Sequence, residues 1–150
     1  MLYVTRKAHF SAAHRLFNPK FSDAENERIF DKCNNPRGHG HNYVVEVTVA
    51  GEPDPNTGYV IDLKRLANLM DEHVIDKFDH KHLNYDVPEL EGIIPTAENI
   101  ALKVWELLEP HITSGHLHSV RIAESENNVA EYRGEVHSHT EPLGTRVSTR

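Results

Sequence analysis

The chain has 150 residues, of which 38% are hydrophobic and 26% are charged, a composition typical of one globular domain and unlike that of disordered or membrane-spanning chains. Its formal net charge of −7 argues against general binding to nucleic acid. The chain has neither the run of about 20 apolar residues that a spanning helix needs nor the apolar stretch of a signal peptide, and its single cysteine excludes an internal disulfide and suits a reducing cytoplasm.

Two segments in the first third of the chain alternate apolar and polar residues, which predicts β-strands. The first covers residues 3–14, and one of its faces becomes apolar toward His14 at its C-terminal end. The second covers residues 39–50, where alternate valines share a face and favour a strand. Residues 17–38 contain prolines, a glycine and mixed charges, which predicts a long loop of the kind that is often functional.

Two helices are predicted in the middle of the chain. Apolar residues recur at helical spacing over residues 63–78, and Asp62 is the candidate N-cap. After a second loop, Pro95 and Thr96 begin another helix, whose apolar stripe ends before Pro110. Both patterns are typical of helices that bury one face against a sheet.

Two further strands are predicted near residues 117–125 and 128–134. A tight turn at residues 126–128 is expected to join them, because Asn readily adopts the positive φ that such turns require. The order β-β-α-α-β-β predicts an α+β domain, an antiparallel four-stranded sheet with two helices on one face. The apolar pattern then ends, so we expect one domain over residues 1–135 and a mobile tail over residues 136–150.

Histidine is unusually frequent, at 12 residues, and forms four His-x-His triplets where about one is expected by chance from composition. In a strand the side chains at i and i+2 point to the same side, so His39 and His41 can converge on one metal ion. A catalytic zinc needs a third protein ligand, for which His14 is the best candidate. Spacing alone fits equally well two surface histidines and one at the core edge. The triplets that begin at His116 and His137 are interpreted as unrelated to the site.

The single cysteine is a second candidate for chemistry. Cys33 lies in the first predicted loop, with Lys32 and Arg37 nearby. Neighbouring cations lower the pKa of an exposed thiol and turn it into a base or nucleophile. The alternative is an inert, half-buried thiol.

Three more residues suit proton transfer or ligand binding. Asp79 directly precedes His80, and a carboxylate that holds one ring nitrogen raises the basicity of the other, as in a proton relay. Solvation at the end of a helix is the simpler account of that pair. Glu124 shares strand parity with apolar residues, so its charge needs a partner such as a guanidine-like ligand edge. Its alternative is a position just beyond the buried stretch.

These features, in this order, resemble the 6-pyruvoyl tetrahydropterin synthase family. A cysteine followed by His-Gly-His, with an upstream histidine and a downstream Asp-His pair, is specific as a set. The resemblance covers roughly residues 3–135 and rests on seven matching segments, at 10–16, 33–43, 58–63, 79–84, 95–99, 124–128 and 132–135.

The resemblance implies a tunnelling fold, whose subunits join their sheets edge to edge and so leave no open edges. Family members are typically homohexamers of two stacked trimers, with active sites between subunits. The resemblance also implies a role for eight residues: zinc ligation by His14, His39 and His41, catalysis by Cys33, Asp79 and His80, and substrate binding by Glu124 and Thr96. Asp79 and His80 would then serve the zinc of a neighbouring subunit.

The implied reaction starts from 7,8-dihydroneopterin triphosphate and gives 6-pyruvoyl tetrahydropterin, with zinc as the cofactor. Triphosphate is eliminated and the redox change is internal, which makes the enzyme a carbon–oxygen lyase. Mg²⁺ is a candidate companion of the triphosphate. Four cations are candidate contacts for that group: Arg15, Lys20, Lys32 and Arg37.

Other interpretations stay open at this point. The sibling 6-carboxytetrahydropterin synthase of queuosine synthesis uses the same substrate but cleaves a carbon–carbon bond and releases acetaldehyde. Residues 17–38 and the Asn pairs at 34–35 and 127–128 favour the pyruvoyl enzyme, whereas residues 95–98 favour the sibling. A non-catalytic zinc or pterin-binding module and a hydrolase with Cys33 as nucleophile and His80 as base are more distant alternatives.

Overall fold

The structure is a computed structural model that describes residues 1–135. The predicted tail at residues 136–150 therefore lies outside the described residues. Nine helices and strands follow one another along the described part of the chain: β1 (Leu2–His14), α1 (Asp23–Phe30), β2 (His39–Gly51), α2 (Leu63–Met70), α3 (Asp76–Phe78), β3 (Lys81–His82), α4 (Ala97–Leu108), β4 (His116–Ala123) and β5 (Val129–Tyr132).

The predicted α+β class is confirmed, but the sheet has five strands in the order β3-β1-β2-β4-β5. Four of them, β1, β2, β4 and β5, pair antiparallel as predicted. The additional strand β3 pairs in parallel with Ala12 and Ala13 of β1. A strand of two residues is too short to show alternation, so the sequence pattern could not reveal it.

The helix predicted over residues 63–78 is confirmed with one modification. α2 and α3 are joined by a π-helical segment (Asp71–Ile75), which inserts one wider turn into an otherwise continuous helix. The side chain of Asp62 accepts from the Lys64 N–H and is the N-cap, as predicted. These helices and α4 bury their apolar stripes against the inner face of the sheet and form one core with it.

The long loop predicted over residues 17–38 is wrong for its central part. This segment contains α1, whose N-cap is Ser22, and a 3₁₀ turn (Asp31–Asn34). The only buried residue of α1 is Asn26, so the helix carries no apolar stripe that a periodicity argument could detect.

The turn predicted between the last two strands forms, but the positive φ expected of its asparagines is wrong. β4 ends at Ala123 and β5 begins at Val129, which leaves a five-residue connection. Among the described residues other than glycine, only Asp31 and His80 have a positive φ. Within it the Glu124 N–H donates to the Asn128 carbonyl oxygen at 3.0 Å, which closes a turn over residues 125–127 without a positive φ.

The outer face of the sheet is polar and carries a row of alternating charges, here called the charge row, formed by Lys7, Glu46, Arg121 and Glu131. Each member lies directly opposite the next on the neighbouring strand. The Lys7 ammonium is 3.1 Å from one Glu46 oxygen, and Arg121 Nε is 3.6 Å from the other. In the described part of the chain, no helix is both long and apolar enough to span a membrane.

Candidate metal centre and active site

The register of β1 and β2 brings the three predicted metal ligands together. His14 lies directly opposite His39, and His41 lies opposite Ala12. Alternate residues of a strand share a face, so all three imidazoles point toward the inner side of the sheet. The Nε2 atoms of His14 and His39 are 3.2 Å apart. The cross-strand pairing therefore confirms that these histidines converge.

Glu124 completes this cluster from the end of β4. Its Oε1 atom lies 3.1 Å from Nε2 of both His14 and His41. One ligand atom from each of the four side chains, His39 included, lies within 4.8 Å of every other, a group that could hold a metal ion. The sequence predicted a partner for the Glu124 charge but did not predict that histidines would supply it.

Backbone and side-chain groups orient the ring of His14. This residue is fully buried, and its Nδ1 atom lies 2.8 Å from the Pro95 carbonyl oxygen and 3.2 Å from the Tyr43 hydroxyl. A carbonyl only accepts hydrogen bonds, so Nδ1 carries the proton and the lone pair is on Nε2, where it faces the cluster. Burial also lowers the pKa of His14, which favours the neutral form that metal ligation requires.

The environment of His41 supplies an independent test of whether the cluster fits a metal. Its Nε2 atom is buried and has no hydrogen-bond partner among the described residues, although the Glu124 carboxylate is near. A buried polar atom without a partner costs free energy. A cation bound by the imidazole nitrogens would remove that cost, and a set of imidazole nitrogens suits a transition metal such as zinc. The residues present therefore fit a metal ion.

Cys33 lies in the 3₁₀ turn Asp31–Asn34 and is half-buried. Its carbonyl oxygen accepts from the Leu16 N–H at 2.8 Å, which ties the turn to the chain just after β1. Burial raises the pKa of the Cys33 thiol, and the carboxylates of Glu124 and Asp31 raise it further. The expectation of a thiol activated by neighbouring cations is therefore wrong, since the side chains that act on it are acidic.

The predicted pair of Asp79 and His80 forms. One carboxylate oxygen of Asp79 lies 2.9 Å from His80 Nδ1, and the other accepts from the Ser11 N–H at 2.8 Å. The Ser11 and His80 contacts lower the pKa of Asp79, so this carboxyl group is ionised at neutral pH. His80 has a positive φ of 60°, a strained conformation held in part by its backbone N–H, which donates to the Ser11 carbonyl at 2.6 Å.

A cleft of about 480 Å³ opens at the surface beside His80. It lies where β1, β2 and β3 come together, and both His41 and His80 line it. The imidazole of His80 is 83% exposed and therefore accessible from solvent. Most of its lining residues on β1 and β2 alternate with the cluster histidines and so face the outer side of the sheet: Ser11, Ala13, Gly40 and Asn42.

The other residues predicted to contact the substrate are hydrogen-bonded within the protein or lie at its surface. The Thr96 hydroxyl accepts from the Asn99 N–H at 3.2 Å and caps α4, and its role in substrate binding stays a prediction. The guanidinium of Arg15 is bonded to Asn34. The other three candidate contacts for the triphosphate are exposed: Lys20, Lys32 and Arg37.

The chain is similar in sequence and in fold to known proteins. A family model described as 6-pyruvoyl tetrahydropterin synthase matches residues 3–135. The chain is 46% identical over 132 residues to the Homo sapiens 6-pyruvoyl tetrahydrobiopterin synthase, which covers 88% of this chain and 91% of that protein. The structure of the Caenorhabditis elegans 6-pyruvoyl tetrahydropterin synthase superposes with a TM-score of 0.85 at 42% identity, covering 89% of this chain and 96% of that chain. A putative 6-carboxy-5,6,7,8-tetrahydropterin synthase of Archaeoglobus fulgidus is 38% identical over 125 residues, 83% of this chain and 89% of that protein.

Proposed function

The chain belongs to the 6-pyruvoyl tetrahydropterin synthase family, and we propose that it converts 7,8-dihydroneopterin triphosphate into 6-pyruvoyl tetrahydropterin and inorganic triphosphate. The observation that carries the proposal is the convergence of His14, His39, His41 and Glu124 into a group that could hold a metal ion. The side chain of the substrate becomes oxidised as its ring becomes reduced. The reaction is therefore a lyase step that needs no external oxidant.

The proposed metal is zinc, with His14, His39 and His41 as its ligands. Two observations support this set: the fixed tautomer of His14 and the unpartnered Nε2 of His41. When bound, zinc supplies Lewis-acid polarisation of the hydroxyls on the substrate side chain. Mg²⁺ would accompany the triphosphate in solution.

In the proposed mechanism the protein's own residues move protons and hold the ring. Cys33 would act as the thiolate, which a metal cation held by the histidines would favour against the burial that raises the pKa of the thiol. The thiolate takes the proton that leaves a side-chain carbon, and His80, oriented by Asp79 through Nδ1, returns a proton elsewhere on the substrate. Glu124 accepts two parallel N–H groups from the amino-pyrimidine edge of the pterin. This role leaves Glu124 outside the metal ligands, although it contacts two of the histidines.

The proposed assembly is a homohexamer of two trimers with active sites between subunits. β1 pairs with β3 at two positions only, so in the described part of the chain most of its outer edge is unpaired, and β5 is the opposite edge. Joining such edges between subunits satisfies their free backbone groups. The exposure of His80 suits a residue that serves a neighbouring subunit. A free catalytic thiol also suits a reducing compartment, so we propose a cytoplasmic location.

The reaction product tests the proposal. The zinc-loaded protein is incubated with 7,8-dihydroneopterin triphosphate without reductant, while aldehydes are trapped and pterins identified by mass. We expect 6-pyruvoyl tetrahydropterin and one equivalent of triphosphate, because identity is higher to the human enzyme than to the putative carboxy enzyme. Stoichiometric acetaldehyde with 6-carboxytetrahydropterin would replace the proposed reaction with that of the sibling. No turnover would favour a binding module.

The metal assignment is tested separately from turnover. Metal analysis of His39→Ala should show loss of zinc, because this variant removes one of three ligands. His116→Ala is the matched control, since it removes a histidine of another His-x-His triplet on the exposed start of β4. Zinc retained by the first variant and lost by the second would show that the ligand assignment is wrong.

A further inference from the structure

The side chain of Arg15 is committed to the turn that carries Cys33. Its Nε atom donates to the Asn34 carbonyl oxygen at 2.9 Å, and its Nη2 atom donates to Asn34 Oδ1 at 3.0 Å. The guanidinium plane also lies 4.1 Å from the ring centroid of Phe17. A planar fork that makes two hydrogen bonds and one ring contact is held in a single orientation.

The backbone of Arg15 is held equally closely by Asn84. The Arg15 N–H donates to Asn84 Oδ1, and the Asn84 amide donates back to the Arg15 carbonyl, both at 2.8 Å. Asn84 therefore acts as a strand partner just beyond β3, and it extends the pairing of β1 past its last residue. This amide fixes the point from which the Arg15 side chain starts.

The chain positions of these residues give the contacts their significance. Arg15 directly follows His14, a proposed metal ligand, and its guanidinium grips Asn34, which directly follows Cys33. The 3₁₀ turn Asp31–Asn34 has no buried residue and no side-chain cap, so core packing does not fix its position. Hydrogen bonds from Arg15 and Leu16 fix the position of the turn instead.

We propose that Arg15 is a positioning residue that sets the place of the Cys33 thiol relative to the histidine cluster, with Asn84 as its anchor. The proposal rests on the proposed function, because it takes Cys33 to be the group that moves a proton. It also removes Arg15 from the candidate contacts for the triphosphate. A displacement of about 1 Å from the productive geometry can cost roughly 100-fold in rate.

Replacement by lysine separates positioning from charge. Arg15→Lys keeps the positive charge, but an ammonium is a single donor centre and cannot bond both Asn34 oxygens in parallel. If Arg15 acted only as a cation for the triphosphate, lysine would largely preserve its function. Arg28→Lys is the matched control, since Arg28 is exposed on α1.

The experiment measures kcat, KM, zinc content and the rate at which iodoacetamide alkylates the protein. Because the chain has one cysteine, whole-protein mass reports Cys33 alone. For Arg15→Lys we expect full zinc, a KM within about twofold, a kcat lowered roughly 10- to 100-fold and several-fold faster alkylation. Arg28→Lys should match the wild type in all four measurements. A raised KM with normal kcat, or unchanged kcat and alkylation, would overturn the proposal.

Two additions keep the outcome decisive. If Arg15→Lys does not fold, Asn34→Ala replaces it, because this variant removes one of the two acceptors of the Arg15 guanidinium. It should lower kcat and speed alkylation by smaller factors than those expected for Arg15→Lys. An unchanged kcat and alkylation rate would refute the positioning role. If the wild type shows no turnover, the proposed function fails, and alkylation alone then decides. Faster labelling of Arg15→Lys supports the link to the Cys33 turn, and equal labelling contradicts it.

Discussion

Gly38→Ala should disrupt the proposed metal centre without replacing any of its proposed ligands. Gly38 directly precedes His39 and has a φ of +75°. A Cβ atom at this position would lie 2.8 Å from the carbonyl oxygen of His14 and 2.9 Å from Nε2 of His82. The histidine ring can move aside, but the backbone of His14 is fixed in β1. Relief therefore requires the paired ends of β1 and β2 to separate, at the point where the ligands meet.

The magnitude follows from two costs. A left-handed conformation costs an L-residue about 1–2 kcal/mol, and forcing a group into occupied space costs typically about 1–3 kcal/mol. We therefore expect Gly38→Ala to lower the free energy of unfolding by about 2–5 kcal/mol. The zinc affinity should fall as well, because His14 and His39 no longer meet at their present spacing.

Gly58→Ala and Gly92→Ala are matched controls for this variant. Both glycines have nearly the same φ, +76° and +75°, but a Cβ atom at either position meets nothing within 4 Å. The free energy of unfolding of these two variants should fall only by the cost of the left-handed conformation, about 1–2 kcal/mol. Both should keep full zinc. Urea unfolding of the metal-free proteins and zinc titration measure both quantities. Equal destabilisation of all three variants, with equal zinc affinity, would refute the close-approach argument.

Three further predictions concern other parts of the molecule. Cys33→Ala should keep its zinc and lose roughly 10²- to 10⁴-fold in kcat, so near-normal turnover would exclude a role in proton transfer. Glu124→Gln should weaken pterin binding by about 1.5–3 kcal/mol in calorimetry with zinc unchanged, whereas lost zinc would make Glu124 a ligand. The rings of His73 and His111 stack at 3.8 Å, and burial and His111 lower the pKa of His73. Protonation then favours the unfolded chain, so Tm should fall as the pH drops below about 6.5, and His111→Gln should reduce that fall; an identical pH profile of Tm would contradict it.

The convergence of the three histidines was predictable because its signal is local. Strand alternation puts His39 and His41 on one side, and the apolar face of the first strand leads to His14. For Glu124 the sequence predicts only that the charge needs a partner, because strand parity places this acid on an apolar face. Its contacts with histidines depend on how β2 pairs with β4, and no local pattern contains that information.

The errors come from forces that act between distant parts of the chain. Lys32 and Arg37 are neighbours of Cys33 in sequence, but both are exposed, and burial and the carboxylate of Glu124 raise the pKa of the thiol instead. The Pro95 carbonyl that orients His14 could not be predicted, because every residue carries a carbonyl. α1 was missed because it buries only Asn26.

The charge row on the outer face restricts misregistered pairing of the strands. A slip of two residues between neighbours keeps the buried valines of β2, Val45, Val47 and Val49, on the buried face, so burial of apolar surface does not penalise it. After such a slip, Lys7 would face Val44 or Thr48 in place of Glu46, and the same two residues would face Arg121. Each exposed ion pair contributes only about 0–1 kcal/mol, yet a shift of β2 against both neighbours breaks the Lys7–Glu46 and Arg121–Glu46 pairs together. Residues that add little to the stability of the native sheet thus favour its register over registers shifted by two residues.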